Sequence, residues 1–329
     1  MILVGDVRGP RTTVALFEAA GKDLRLAREA TFPSRSYHCI EEIVDEIVGD
    51  ERDVIDAACF AVAARVREGK VVEGSLPWEL DEADLAEHLG TARVKLLDDM
   101  QATAHGMLFL AEKDFEVLQA GTAPPKAGNI AVIAPGEGFG EAMLYWDGRR
   151  YHPIATAGGR AAFAPRTDGE IELLRRLCPA CGGEVTCERI LSRESLRDLY
   201  AFLRARRGEP EPAWLTELFS MRDASDAIAE TGLADQDPIC VETLELFASL
   251  LGTEAANHAL RCSAEGGVII GGALPPSILP VLRRGGFLEA FVGKGRSSEW
   301  LRGLRLRVAL ETHAPLIGAA HWIASRDTT

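Results

Sequence analysis

The chain lacks any apolar run approaching the ~18 residues that span a bilayer, so no membrane helix is expected. It is also short of positive charge: 36 Lys and Arg stand against 50 Asp and Glu, for a net charge of −14. Phosphate backbones are held by clustered Lys and Arg, so nucleic acid is not an expected partner, and the acidity reads as solubility. Seven cysteines among 329 residues are too few for a disulfide framework. No basic region precedes the first apolar run, and no secretory signal is expected there. There is no low-complexity tract. These absences point to a soluble, cytoplasmic protein.

What is present is a chain 47% hydrophobic, enough for two well-buried domains. Ile2–Val7 and Thr12–Phe17 are β-rich runs around a turn at Arg8-Gly9-Pro10-Arg11, which predicts a hairpin, with Leu24–Phe32 as a third strand. Ile40–Val48 has helical spacing. Ala57–Ala63 and Val94–Leu97 read as strands, Leu80–Leu89 as a helix capped near Asp81, and Ala102–Leu110 as a helix. A second round of the same kind begins at Ile130: strands Ile130–Ala134 and Glu141–Trp146, helices Leu196–Arg206 and Val241–Leu260, and a short strand Gly267–Ile270. Arg207–Pro212 is expected as an exposed loop. Strands followed by helices, twice over, predict two α/β domains with a cleft between them.

Four segments stand out: Met1 to Val7, Leu96-Leu97-Asp98-Asp99, Ile130 to Gly140, and Gly267 to Ala273. Each is an apolar run ending in an acid or in glycines, as when a buried strand delivers a loop to a ligand. Their order resembles the bacterial glucokinase family. So do Phe163-Ala164-Pro165, Glu188-Arg189-Ile190-Leu191-Ser192, Gly286-Phe287 with Phe291, Lys294-Gly295-Arg296, and Pro315-Leu316-Ile317-Gly318-Ala319-Ala320. The resemblance runs the length of the chain. It implies a duplicated ribonuclease-H-like fold of the actin and hexokinase type with an interdomain cleft. It places a small α/β domain at 1–109, joined by 314–329, and a large α/β domain at 110–313. It also implies a homodimer.

Residue by residue, the resemblance makes Asp6 the acid that helps hold magnesium, a role suited to a hard, oxygen-seeking ion. The first phosphate turn, Gly-Gly-Thr-Asn in the family, is here Arg8-Gly9-Pro10-Arg11. Proline removes an N–H that could meet phosphate, whereas Arg8 and Arg11 could attract it. A solvated hairpin tip is the alternative. The second phosphate loop keeps Gly136, Gly138 and Gly140 but has Glu137 where the family has a hydroxyl. A carboxylate ~4 Å from phosphate repels it by about 1 kcal/mol in water, unless Arg8 or Arg11 neutralises it. Gly271-Gly272 resembles the adenosine loop. Mg·ATP is the implied cofactor.

Asp99 corresponds to the family's general base for the sugar hydroxyl, a role phosphoryl transfer favours because it depends on positioning. Asp98 stands where the family has an Asn that binds sugar. A helix N-cap is the alternative role for this pair. The family's Glu-Gly-Gly-His sugar segment becomes Ala157-Gly158-Gly159-Arg160. Ala157 offers no side-chain partner, and Arg160 is donor-only, which favours an acidic or phosphorylated ligand. Glu188 matches the remaining sugar-binding Glu, with an ordinary helix-end acid as the alternative.

Cys178 and Cys181, followed by Cys187, have spacing similar to half of a zinc ribbon. Zinc held by these three with a distant group such as His152 is one expectation, and reduced loop thiols are the other. The expected function is ATP-dependent phosphorylation of a hexose hydroxyl with Asp99 as base, on an acceptor that need not be glucose. The other reading is an impaired homologue that senses a ligand, such as a sugar phosphate, through Arg8, Arg11 and Arg160.

Overall fold

The computed structural model describes residues 1–20, 23–49, 54–74, 76–122 and 126–325. They divide into two compact units. The first is Met1–Glu112 with His152–Ala155 and Glu311–Thr329, and the second is Lys113–Tyr151 with Thr156–Leu310.

In the first unit, strands β1 (Ile2–Val7), β2 (Arg11–Ala20), β3 (Asp23–Pro33), β4 (Ala57–Val62), β5 (Ala64–Arg67), β6 (Lys70–Gly74) and β7 (Val94–Asp98) form a main sheet and a small hairpin. The main sheet has the order β3-β2-β1-β4-β7, and β5 pairs with β6. β1 is antiparallel to β2 and parallel to β4, which is parallel to β7. All six residues of β4 are buried, as expected of a strand covered on both faces. Alternate side chains serve two cores: Ala58, Phe60 and Val62 pack with Ile43, Val44 and Leu85, and Ala57, Cys59 and Ala61 pack with Leu316, Ala319 and Ala320.

The helix Asp99–Gly106 starts earlier than its periodicity predicts, because the Asp98 carboxylate accepts the Met100 N–H and caps it. It lies against the C-terminal helix Ala314–Ala324 at backbone contact. A Cβ at Gly106 would come within 2.0 Å of the Ala314 carbonyl oxygen, and one at Gly318 within 1.9 Å of that of Ala102. Only glycine fits at either position.

A second sheet repeats the plan with β8 (Phe115–Gln119), β9 (Ile130–Pro135), β10 (Phe139–Trp146), β11 (Tyr151–Thr156), β12 (Gly267–Ile270) and β13 (Leu306–Ala309). Its order is β11-β10-β9-β12-β13-β8. From β11 to β13 this matches the first sheet, with a hairpin leading into parallel strands. The duplicated ribonuclease-H-like topology is therefore visible in the pairing itself. A 25-residue helix, Pro238–Cys262, packs against β9; Asp237 caps it and proline opens it. The helix Ser195–Arg207 ends on Gly208 in the left-handed region, and the stretch to the helix Ala213–Met221 is mostly exposed.

Candidate active site

In the first unit, the register Asp6↔Ala61 and Val62↔Asp98 brings the carboxyl ends of three neighbouring parallel strands together. This is the edge where open α/β sheets present their ligands. Asp6, Asp98 and Asp99 collect there. The hairpin tip beyond β1 is anchored rather than loose. Ser34 donates its N–H to the Pro10 carbonyl (3.2 Å) and its Oγ–H to the Arg8 carbonyl (2.8 Å). Arg11 is exposed at the tip.

Arg8 turns back from this tip. Its Nε donates to both oxygens of Asp6 at 3.0 Å, and its Nη1 lies 3.4 Å from Asp99 Oδ2. One guanidinium thus bridges two of the three acids. Burial pushes the Asp99 carboxyl up to about 6, against the pull of Arg8 and with a further push from Asp98 and Asp6. Burial also raises Asp98, while the N–H groups of Met100 and Gln101 pull it down. At neutral pH Asp99 is an ionised carboxylate whose proton affinity is well above the ordinary range, the state a general base needs.

In the second unit, Gly136 donates its N–H to the Gly138 carbonyl (2.8 Å), closing the loop between β9 and β10. Gly272, at φ +83°, brings its backbone onto the Pro135 carbonyl, where a Cβ would approach to 2.3 Å. Gly159 sits as closely on the Phe139 carbonyl, at 2.1 Å. Glu188 lies alongside: its Oε1 accepts the Phe139 N–H at 3.4 Å and is 2.5 Å from where a Gly138 Cβ would stand. Gly136, Gly138, Gly140, Gly271, Gly272, Gly158, Gly159 and Glu188 are therefore gathered in one neighbourhood of this unit. Gly136 differs from its neighbours. A Cβ there meets nothing closer than the Ala273 nitrogen at 3.8 Å, so its lack of a side chain is not demanded by the protein's own packing. That open backbone fits a phosphate cradle.

Glu137 is answered by a residue the sequence reading missed. Arg193 reaches it at 3.7 Å and also holds Asp223 (3.2 Å) and Asp226 (2.5 Å), while its backbone N–H donates to the Gly136 carbonyl at 2.7 Å. Nothing local in the sequence pairs these distant residues. Also missed was a cluster behind the turn at 157–160, formed by the buried Glu141, Glu254 and His258 and the exposed Arg261. Its signal was an acid inside the mostly apolar strand Phe139–Trp146.

The expected zinc site does not form. Among the described residues, no three His, Cys, Asp or Glu side chains are grouped to hold a metal ion. Cys178 donates its thiol to the Gly183 carbonyl. Cys187 opens the helix Cys187–Leu191 with its Sγ facing the Ala162 carbonyl, and burial, with Glu254 and Glu141 near, pushes its thiol up to about 12.

The sequence model of the glucokinase family matches residues 3–326. The chain belongs to the glucokinase family. Glucokinase from Caulobacter vibrioides is 36% identical over 323 residues, covering 97% of this chain and 93% of the relative. The crystal structure of a glucokinase from an Antarctic psychrotroph superposes with a TM-score of 0.81 at 26% identity, covering 98% of both chains. That of the Balamuthia mandrillaris glucokinase gives the same TM-score at 16% identity, covering 98% of this chain and 93% of that one, and shows the shared fold.

Proposed function

We propose that the protein transfers the γ-phosphoryl group of ATP to a hydroxyl of a hexose, with Asp99 as general base. The observation that carries this is the Asp99 carboxylate, held at a parallel strand end, ionised at neutral pH and raised to about 6. Asp99 would take the proton of the acceptor hydroxyl as its oxygen attacks the γ-phosphorus and ADP leaves. Asp6 would hold the magnesium that accompanies ATP, and the ion supplies charge neutralisation along the phosphates. Gly136, Gly138 and Gly140 would cradle phosphate, Gly9 and Arg11 of the first hairpin are assigned to it as well, and Gly271-Gly272 would receive the adenosine.

Asp98, Gly158, Gly159, Arg160 and Glu188 are assigned to the acceptor. The Balamuthia relative is in complex with glucose. Here Ala157 offers no side-chain hydrogen bond and Arg160 adds a cation, so an acceptor bearing an anionic group suits the turn better. A homodimer and a cytoplasmic location belong to the same proposal and rest on the family resemblance and the chain's character.

The test is turnover with a hexose and hexose-phosphate panel. Asp99→Asn should lose about 10²–10⁴-fold in kcat with any accepted sugar. Unchanged turnover would remove Asp99 from the role of base. One observation favours a second reading, a homologue that binds an anionic ligand without catalysis: Arg8 already occupies both oxygens of Asp6. Calorimetric titration of Mg·ATP separates the two, since silence up to several millimolar leaves only the second.

A further inference from the structure

Behind the Ala157–Arg160 turn lies a set of charges that the proposed chemistry does not use. Glu141, on β10, is 1% exposed. Its Oε2 is 3.1 Å from His258 Nδ1, and Arg261 Nη2 donates to its two oxygens at 3.3 and 3.4 Å. The other ring nitrogen, His258 Nε2, donates to the Ala142 carbonyl at 2.8 Å. With an acceptor facing each nitrogen, His258 is held as an imidazolium. Arg261 also pairs with Glu254, which accepts from Asn257 (2.8 Å), whose amide oxygen accepts from Lys294 (2.6 Å). The buried carboxylates Glu141 and Glu254 are therefore balanced by the buried His258 and by Arg261, whose side chain reaches them from the solvent-exposed edge of the helix.

The turn is fastened to this cluster through one residue, by two routes. Thr156 donates its Oγ–H to the Glu141 carbonyl (3.1 Å), and Gly158 donates its N–H to Thr156 Oγ1 (3.2 Å). The Glu141 carboxylate itself lies against the Gly158 backbone, where a Cβ would stand 1.9 Å from Oε2. The turn thus rests on a carboxylate, and that carboxylate is fixed by a rigid 25-residue helix.

We infer that Glu141 is a positioning residue for acceptor binding: its buried carboxylate, clamped by His258 and Arg261, sets the conformation of the Ala157–Arg160 turn. The functional half of this inference rests on the assignment of that turn to the acceptor. The structural half does not.

The test is Glu141→Gln, which keeps size and shape but removes the charge. Hydrogen exchange of the peptide covering residues 156–162 should accelerate about tenfold, while exchange in Pro238–Cys262 stays close to wild type. If the kinase reading holds, the acceptor KM should rise about tenfold with the ATP KM and kcat little changed. Wild-type exchange in the turn of folded E141Q overturns the inference, as does a parallel rise of both KM values. Should E141Q fail to fold, Glu141→Asp decides. It keeps the charge for His258 and Arg261 but draws the carboxylate back from Gly158, and it should loosen the same peptide; an unchanged turn overturns the inference. Should the wild type phosphorylate no hexose, the kinase reading fails, and the exchange data still judge Glu141.

Discussion

Arg8 Nε donates to both carboxylate oxygens of Asp6 at 3.0 Å, in the place where a cation-binding acid would need its oxygens open. The same guanidinium lies 3.4 Å from Asp99, so one side chain governs the acid assigned to magnesium and the acid assigned as base.

Arg8→Gly should therefore free Asp6 and remove the cation nearest Asp99. Mg·ATP should bind roughly tenfold tighter by calorimetry, the equivalent of one charged hydrogen bond no longer broken on binding. Arg8 holds the Asp99 carboxyl down, so its loss should move the acid limb of the pH–rate profile upward from about 6. Weaker Mg·ATP binding in the variant would instead show Arg8 to be a phosphate ligand.

Asp99 carries a stability cost. Its folded value, about 6, is above its ordinary 3.8, so the folded state favours the protonated carboxyl. Its contribution to stability is present below about pH 4 and is lost as pH rises through about 6. Asp99→Asn should thus stabilise the protein by about 1–3 kcal/mol at pH 8 and by little at pH 4. Urea melts at the two values check this. Equal effects at both would show that the carboxylate is not strained by burial.

Glu137 and Arg193 should behave as a coupled pair. Glu137→Thr removes a negative charge from the phosphate loop and should lower the ATP KM roughly fivefold, about 1 kcal/mol. Arg193→Ala should raise it, and the double variant should fall between the two by more than additivity allows. Strict additivity would mean the 3.7 Å separation transmits nothing to the nucleotide.

His258 predicts an alkaline weakness. Burial opposes its charge, but Cys262 and Glu141 outweigh that and lift it to about 10 from an ordinary value near 6.5. The stability this contributes is complete below pH 6.5 and is lost as pH rises through about 10. The denaturation midpoint should fall across that window. His258→Gln should flatten the profile and cost about 3–5 kcal/mol at pH 7, because it leaves Glu141 buried with one partner fewer. A wild-type midpoint that does not change between pH 7 and 10 would contradict the charged pair.

The central strands were legible because buried parallel strands are written as unbroken apolar runs, as in Ala57–Val62 and Gly267–Ile270. The hairpin β5–β6 was not legible, since its strands are short, carry no sustained apolar run and are mostly exposed. Side-chain direction was beyond the sequence. Arg8 looked like a phosphate attractor at a hairpin tip, yet it folds inward because Asp99 arrives from a distant strand. Glu137 looked unanswered until Arg193 came alongside it. The cysteine spacing suggested a ribbon, but Cys187 serves a helix start and a buried contact, which spacing does not encode.

The contact between Gly106 and Gly318 closes a long loop. The helix that begins at Asp99 is seated by the helix Ala314–Ala324, which follows every strand of both sheets in the sequence. The first sheet can pair all its strands before that loop closes, so the backing of Asp99 depends on a contact whose closure entropy is paid separately from the sheet's.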